Sequence, residues 1–179
     1  MNQPIDILNF WSQAGPSKWW KKDAEFDAEI KSRFGETYRQ ATQGQLDDWS
    51  KTPDGTLALI ILLDQFSRNL FRNSPDAFAQ DSKALAIAKT GIEAGFDKSH
   101  PDDLTPFFYM PFMHCENLEE QKTCLRLMQE MDAQDNVRAA KEHLEIIEKY
   151  GRFPHRNTVL GRASKPEEIA FLEAGGFSG

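Results

Sequence analysis

Residues 57–63 of this chain read LALIILL, and they open a helix whose sequence continues as DQFSRNLFR to Arg72. A helix that is apolar on every side has to be buried on every side. The run is far shorter than the roughly 20 residues needed to cross a bilayer, so the burial has to come from protein. The rest of the chain must therefore supply surrounding elements that each present one apolar face.

Its pattern does so. Ile5, Leu8 and Trp11, and then Phe26, Ile30, Phe34 and Tyr38, recur at three- and four-residue steps, as one face of a helix requires. Alternating strand patterns are nearly absent, and TVL at 158–160 is too short to count. Helix starts are marked by Thr52-Pro53, Ser74-Pro75, Asn117 with Glu120, and Ser164 with Glu167. Stops are marked by Gly44, Gly95, Gly151 and Gly175. The segment GPSKWWKKD reads as a loop, with Trp19 and Trp20 expected to plug into the core. Together these features predict an all-α protein of about eight or nine helices packed as antiparallel hairpins, in a single domain over residues 1–179.

Charge and targeting narrow the function classes. The formal net charge of −7 argues against non-specific nucleic-acid binding, which needs phosphate neutralisation by Lys and Arg. MNQPIDILNFW has neither a basic leader nor a small-residue cleavage site, so no signal peptide is expected. The apolar cluster Phe107, Phe108, Tyr109, Met110 and Phe112 lacks a basic face beside it and is read as core rather than as a membrane contact. Two cysteines, Cys115 and Cys124, make no disulfide framework, and a reduced cytoplasmic setting is expected.

Three segments concentrate chemistry. The central helix switches abruptly to Asp64, Gln65, Arg68, Asn69 and Arg72; Asp64, Arg68 and Arg72 share one stripe at four-residue spacing. Burial of such groups is costly unless every one is hydrogen-bonded. The second segment is PFMHCEN, where a helix is expected to end between His114 and Glu116 because Asn117 caps the next. The third is YGRFPHRNTVLGR, which sets Arg152, His155, Arg156, Asn157 and Arg162 between a helix stop at Gly151 and the final helix. Arginine forks suit carboxylates or phosphates, and a histidine can move a proton near neutral pH. His143, on a helix boundary, is read as a core histidine. No HExxH, zinc spacing, nucleophile elbow or phosphate loop is present, so neither a metal nor a cofactor is expected.

These stretches carry a resemblance. Phe10-Trp11, KWWKKDAEFDAEIKSRFG, LDQFSRNLFR, AFAQD ending at Asp81, PFMHCEN, and YGRFPHRNTVLGR with the nearby SKPEE resemble, in order and spacing, the bacterial family called "domain of unknown function 924". The resemblance implies a tetratricopeptide-like fold, in which antiparallel helix pairs form a right-handed array, and it brings no established activity. Its motif positions fall on Asp64, Gln65, Arg68, Asn69, Asp81, His114, Glu116, His155, Arg156, Asn157 and Arg162. Cys115 and Asn117 depart from the small polar and acidic residues of the family pattern.

Three readings follow. In the first, the three segments build a polar pocket for an anionic small molecule. Asp64, Gln65, Arg68, Asn69, Arg156, Asn157 and Arg162 would bind it, and His155, His114 and Glu116 would carry hydrolysis or proton transfer. In the second, the chain is a peptide- or protein-binding helical array. In the third, the polar residues form a filled structural network with no cavity.

Overall fold

The computed structural model describes residues 2–177. Among these residues there is no strand, and the α-helices are α1 (Pro4–Ala14), α2 (Pro16–Trp19), α3 (Ala24–Thr42), α4 (Pro53–Ile60), α5 (Ser67–Leu70), α6 (Asp81–Glu93), α7 (Pro106–Met113), α8 (Leu118–Glu130), α9 (Gln134–Tyr150) and α10 (Pro166–Glu173). A π-helical segment, Ile61–Phe66, joins α4 to α5, so 53–70 is one continuous helix and the helices among the described residues come to nine. The all-α expectation holds. None of these helices is long and apolar enough to cross a membrane.

Two compact units divide the chain. One takes the sequence up to Arg72 together with Asp76–Pro111, and the other takes Asn73–Pro75 with everything from Phe112 onward.

In the first unit, every residue at 57–63 is fully buried. The central helix packs against α1, α3 and α6, and these supply the apolar faces that the all-round pattern demands. Phe66 is fully buried, with its ring 5.4 Å from Phe34, 5.6 Å from Trp11 and 6.1 Å from Phe10. Thr52 caps the helix, its hydroxyl accepting the Gly55 N–H at 3.2 Å. One expectation is corrected beside this core. Trp19 is partly buried and donates its indole N–H to the Trp11 carbonyl at 2.8 Å, whereas Trp20 is 55 % exposed and does not plug the core. The residues 16–19 form a helical turn rather than a loop, and both indoles lie against Phe107, with ring centroids 4.9 Å away for Trp19 and 5.9 Å for Trp20.

In the second unit, a three-residue joint folds α9 back along α8. Asn117 caps α8 by accepting the Glu119 and Glu120 N–H groups at 3.0 and 3.3 Å. The next expected cap shifts by one residue. α10 starts after Lys165, whose N–H donates to Glu168 at 2.7 Å, in place of the predicted Ser164 and Glu167 pair. Ser74-Pro75 opens only a 3-10 turn, Pro75–Phe78.

Replacing Phe66 by Ala should cost about 3–5 kcal/mol, the range for emptying a filled aromatic core position. Urea unfolding measures it; a cost below about 1 kcal/mol would mean that the rings around Phe66 are not close-packed.

Candidate functional site

Asp64 and Gln65 lie in the π-helical segment and are buried. Such segments interrupt the ordinary helical ladder and recur at functional positions. Arg68 answers the buried charge. Its Nη1 donates to the Asp64 carbonyl at 2.6 Å and lies 3.5 Å from Asp64 Oδ1. Its fork also donates to both Asp81 oxygens, at 3.0 and 3.1 Å. Burial works against the charge on Arg68, but Asp64 and Asp81 outweigh it and hold the guanidinium protonated above its usual range. Gln65 donates to Asp64 Oδ2 at 2.6 Å.

The expected stripe breaks at Arg72. α5 ends at Leu70, so Arg72 sits in the following turn and pairs with Asp27 of α3, its Nη2 donating at 2.9 Å. Asn69 donates to the same carboxylate at 2.8 Å. One stripe has thus become two groups, one around Asp64 and Asp81 and the other around Asp27. A cleft of about 490 Å³ also lies in this unit, lined by Gln3, Pro4 and Ile5, by Thr52, Pro53 and Asp54, and by Ser99. None of the predicted site residues lines it.

The YGRFPHRNTVLGR loop belongs to the second unit. Gly151 (φ +69°) ends α9 in the left-handed region, where a side chain is disfavoured. Phe153 is fully buried, Pro154–Arg156 make a 3-10 turn, and the chain then winds back to Arg162. Two ion pairs tie the loop down. Arg162 grips Glu116 with its fork, at 2.6 and 2.9 Å, while its Nε donates to Asn157 Oδ1 at 2.9 Å. The Phe153 N–H also donates to Glu116, at 2.8 Å. Burial pushes the Glu116 carboxyl up, but Arg162, the Phe153 N–H and Arg156 together hold it below the usual carboxylate range.

The second pair is deeper. Glu168 is fully buried and accepts from Arg152 at 2.7 and 2.8 Å, from the Lys165 N–H at 2.7 Å and from Asn157 at 3.1 Å. These bonds, led by Arg152, hold its carboxyl down to about 2 against the opposing effect of burial. Asn157 is fully buried and joins the two pairs. Glu168 has no counterpart among the predicted site residues; PEE after a helix start looks like an ordinary acidic first turn.

A ring cluster adjoins this network. The Phe153 ring lies 5.5 Å from the His143 ring and 5.7 Å from the His155 ring, with the Arg156 guanidinium 4.6 Å over it. His114 lies 6.5 Å from His143, whose Nδ1 is 2.8 Å from the Ala139 carbonyl oxygen. His155 Nδ1 is buried and has no hydrogen-bond partner among the described residues. Burial, helped by Arg156, His143 and His114 and opposed by Glu116, lowers the His155 pKa to about 3, so the ring is neutral at pH 7. His143 itself is buried, in keeping with a core histidine. The Cys124 thiol is pushed up to about 12 by burial and is not a nucleophile at neutral pH. Among the described residues, no group of three or more His, Cys, Asp or Glu is placed to hold a metal ion.

Of the predicted residues, Asp64, Gln65, Arg68 and Asn69 belong to the first unit, and His114, Glu116, His155, Arg156, Asn157 and Arg162 to the second. Within the second, Glu116, Asn157 and Arg162 share one network, and His114, His155 and Arg156 gather with His143 around Phe153 and Glu116.

An all-helical chain whose buried carboxylates are matched by arginines, with a histidine cluster alongside, defines the structural class. Residues 7–176 match the family described as "Bacterial protein of unknown function (DUF924)", and the chain belongs to that family. It is also similar to a solved structure titled "Structure of Protein of Unknown Function ATU0120 from Agrobacterium tumefaciens". The two are 41 % identical with a TM-score of 0.93, over 96 % of this chain and 97 % of the other. No curated protein matches.

Replacing Arg152 by Met leaves the Glu168 carboxylate without its cation and should lower Tm. An unchanged Tm would show that the pair does not hold the loop.

Stability should also fall with acid. A neutral His155 contributes stability above the ordinary histidine pKa of about 6.5, and that contribution is lost as pH drops towards 3, because only the unfolded chain takes the proton. Glu168 acts in the same direction lower down, from its ordinary 4.5 towards about 2. A His155→Phe variant should therefore lose part of the pH dependence of Tm between about pH 6.5 and 5, where carboxylates contribute little. Identical slopes in the variant and the parent would contradict the buried neutral ring.

Proposed function

We propose that this protein binds an anionic small molecule in its second unit, at the cluster of His114, His143, His155 and Arg156. The network of Glu116, Arg162, Asn157, Glu168 and Arg152 is the scaffold that aims the cluster. The observation that carries this reading is the His155 Nδ1 atom, buried next to Arg156 and without a hydrogen-bond partner among the described residues. A buried polar atom left unmatched costs about 1–3 kcal/mol, and such a cost is tolerated at sites that a ligand completes. The fork of Arg156 supplies charge, and a second anionic partner raises the proton affinity of His155. Binding then takes up a proton, so His155 donates to the bound anion and is the acid of any hydrolysis or proton transfer that follows, with His114 as the second candidate.

Glu116, Asn157 and Arg162 keep positioning roles here, because their polar atoms already hold the loop. The Asp64, Gln65, Arg68 and Asn69 groups serve the first unit in the same way. The fold-back of α9 on α8 supports the tetratricopeptide-like array that the sequence resemblance implies, without making a peptide the ligand. The two free cysteines, Cys115 and Cys124, support a reduced, cytoplasmic setting.

Calorimetric titration with inorganic phosphate and with propanoate, each in two buffers of different ionisation enthalpy, tests the reading. Binding with proton uptake below pH 7, weakened at least tenfold in Arg156→Met with the fold retained, is expected. No binding of either anion, or binding indifferent to Arg156, overturns it.

A further inference from the structure

The cleft of about 490 Å³ in the first unit forms where two helix starts meet a turn. α1 and the 3-10 turn Phe96–Ser99 both pack on α4, and residues from all three line the space. Its size suits a small organic molecule. Pro4, Ile5 and Pro53 give it apolar walls, and Ile5 is 50 % exposed, so its side chain is open to whatever enters. Asp54 brings a carboxylate, and no Lys or Arg is among the lining residues.

That carboxylate lacks a close cation. It is 62 % exposed, and His100 faces it with Nδ1 stopping 3.8 Å from Oδ1, beyond hydrogen-bond distance. Packing holds the imidazole there. Its side chain is 4 % exposed, its ring lies 5.6 Å from that of Phe108, and Thr105 donates to its carbonyl at 3.3 Å. Its Nε2 is buried and has no hydrogen-bond partner among the described residues. The two helix starts decide the sign of a ligand. A helix N-terminus attracts anions through its free N–H groups. Here Pro4 and Pro53 have none, the Asp6 N–H goes to the Gln3 carbonyl at 3.0 Å, and the Gly55 N–H goes to Thr52 at 3.2 Å. That leaves one amide in the first three positions at each end, against a carboxylate in each first turn, Asp6 and Asp54. An anion meets those carboxylates as like charges, and a cation is drawn to them.

We propose that this cleft binds a protonated primary amine carried on a short apolar chain. The ammonium donates to the Asp54 carboxylate and to the Ser99 hydroxyl, and the chain lies over Ile5, Pro4 and Pro53. The site draws on residues of the first unit alone and does not rest on the anion-binding reading of the second.

The test titrates the full chain with pentylammonium, ethylammonium and pentanoate and follows backbone amide shifts by nuclear magnetic resonance. Pentylammonium should bind about tenfold more tightly than ethylammonium, because three more methylenes leave water in part. Pentanoate, with a similar chain and the opposite charge, should bind at least tenfold more weakly than pentylammonium. The shifts should centre on Ile5, Asp54 and Ser99. Asp54→Asn should weaken pentylammonium about fivefold, the effect of an ion pair open to water, and Asp54→Glu should restore most of the loss. Ile5→Ser changes an exposed side chain, keeps the fold, and should remove the advantage of the longer chain. Equal binding of pentylammonium and pentanoate, shifts centred elsewhere, or an affinity unchanged by Asp54→Asn overturns the proposal, as does a parent protein that binds neither amine.

Discussion

A charged side chain taken out of water is tolerable only when an opposite charge and further hydrogen bonds meet it, and both units are organised around that requirement. Asp64 and Glu168 have no exposed surface at all. Each is reached by an arginine from its own unit: Arg68, which also grips Asp81, and Arg152, which stands beside Asn157 and the Lys165 N–H. The geometry of these pairs determines where the surrounding turns can run. The path of the loop from Gly151 to Arg162 follows from the positions of Glu116 and Glu168, because departure from it would strand two carboxylates.

This changes how the polar residues divide. In sequence, Arg152, Arg156 and Arg162 share one cationic segment, and Arg156 and Arg162 are the two expected to bind a ligand. In the structure, Arg152 holds Glu168 and Arg162 holds Glu116, each through two hydrogen bonds, and the Arg156 guanidinium lies 4.6 Å over the Phe153 ring. His155 is neutral because it is buried and stands next to a cation.

The helices were legible because their signals are local. The apolar run at 57–63, the Thr52 and Asn117 caps and the stop at Gly151 each act within one turn of chain, and each was found where its residues put it. The helix end expected between His114 and Glu116 falls one step earlier, at Met113. Partners distant in sequence were not legible, and some local signals also misled, among them the Ser164-Glu167 cap and the GPSKWWKKD loop. Arg72 was read as part of a helical stripe, yet it lies past the helix end and answers Asp27, 45 residues away. Trp20 was read as core, but the helical turn at Pro16–Trp19 leaves its indole largely exposed.

The sequence by itself determined an all-α protein with a wholly buried run at 57–63 in its central helix, and it marked the segments that hold the charged chemistry. Hydrophobic period and capping residues are enough for that, since they act through neighbours in the chain. Which carboxylate takes which arginine was decided only by tertiary structure. Arg162 reaches Glu116 across 46 residues, and Glu168 becomes a buried anion only because α10 brings it against Arg152. Desolvation sets that choice, and desolvation depends on what closes over a side chain rather than on what precedes it.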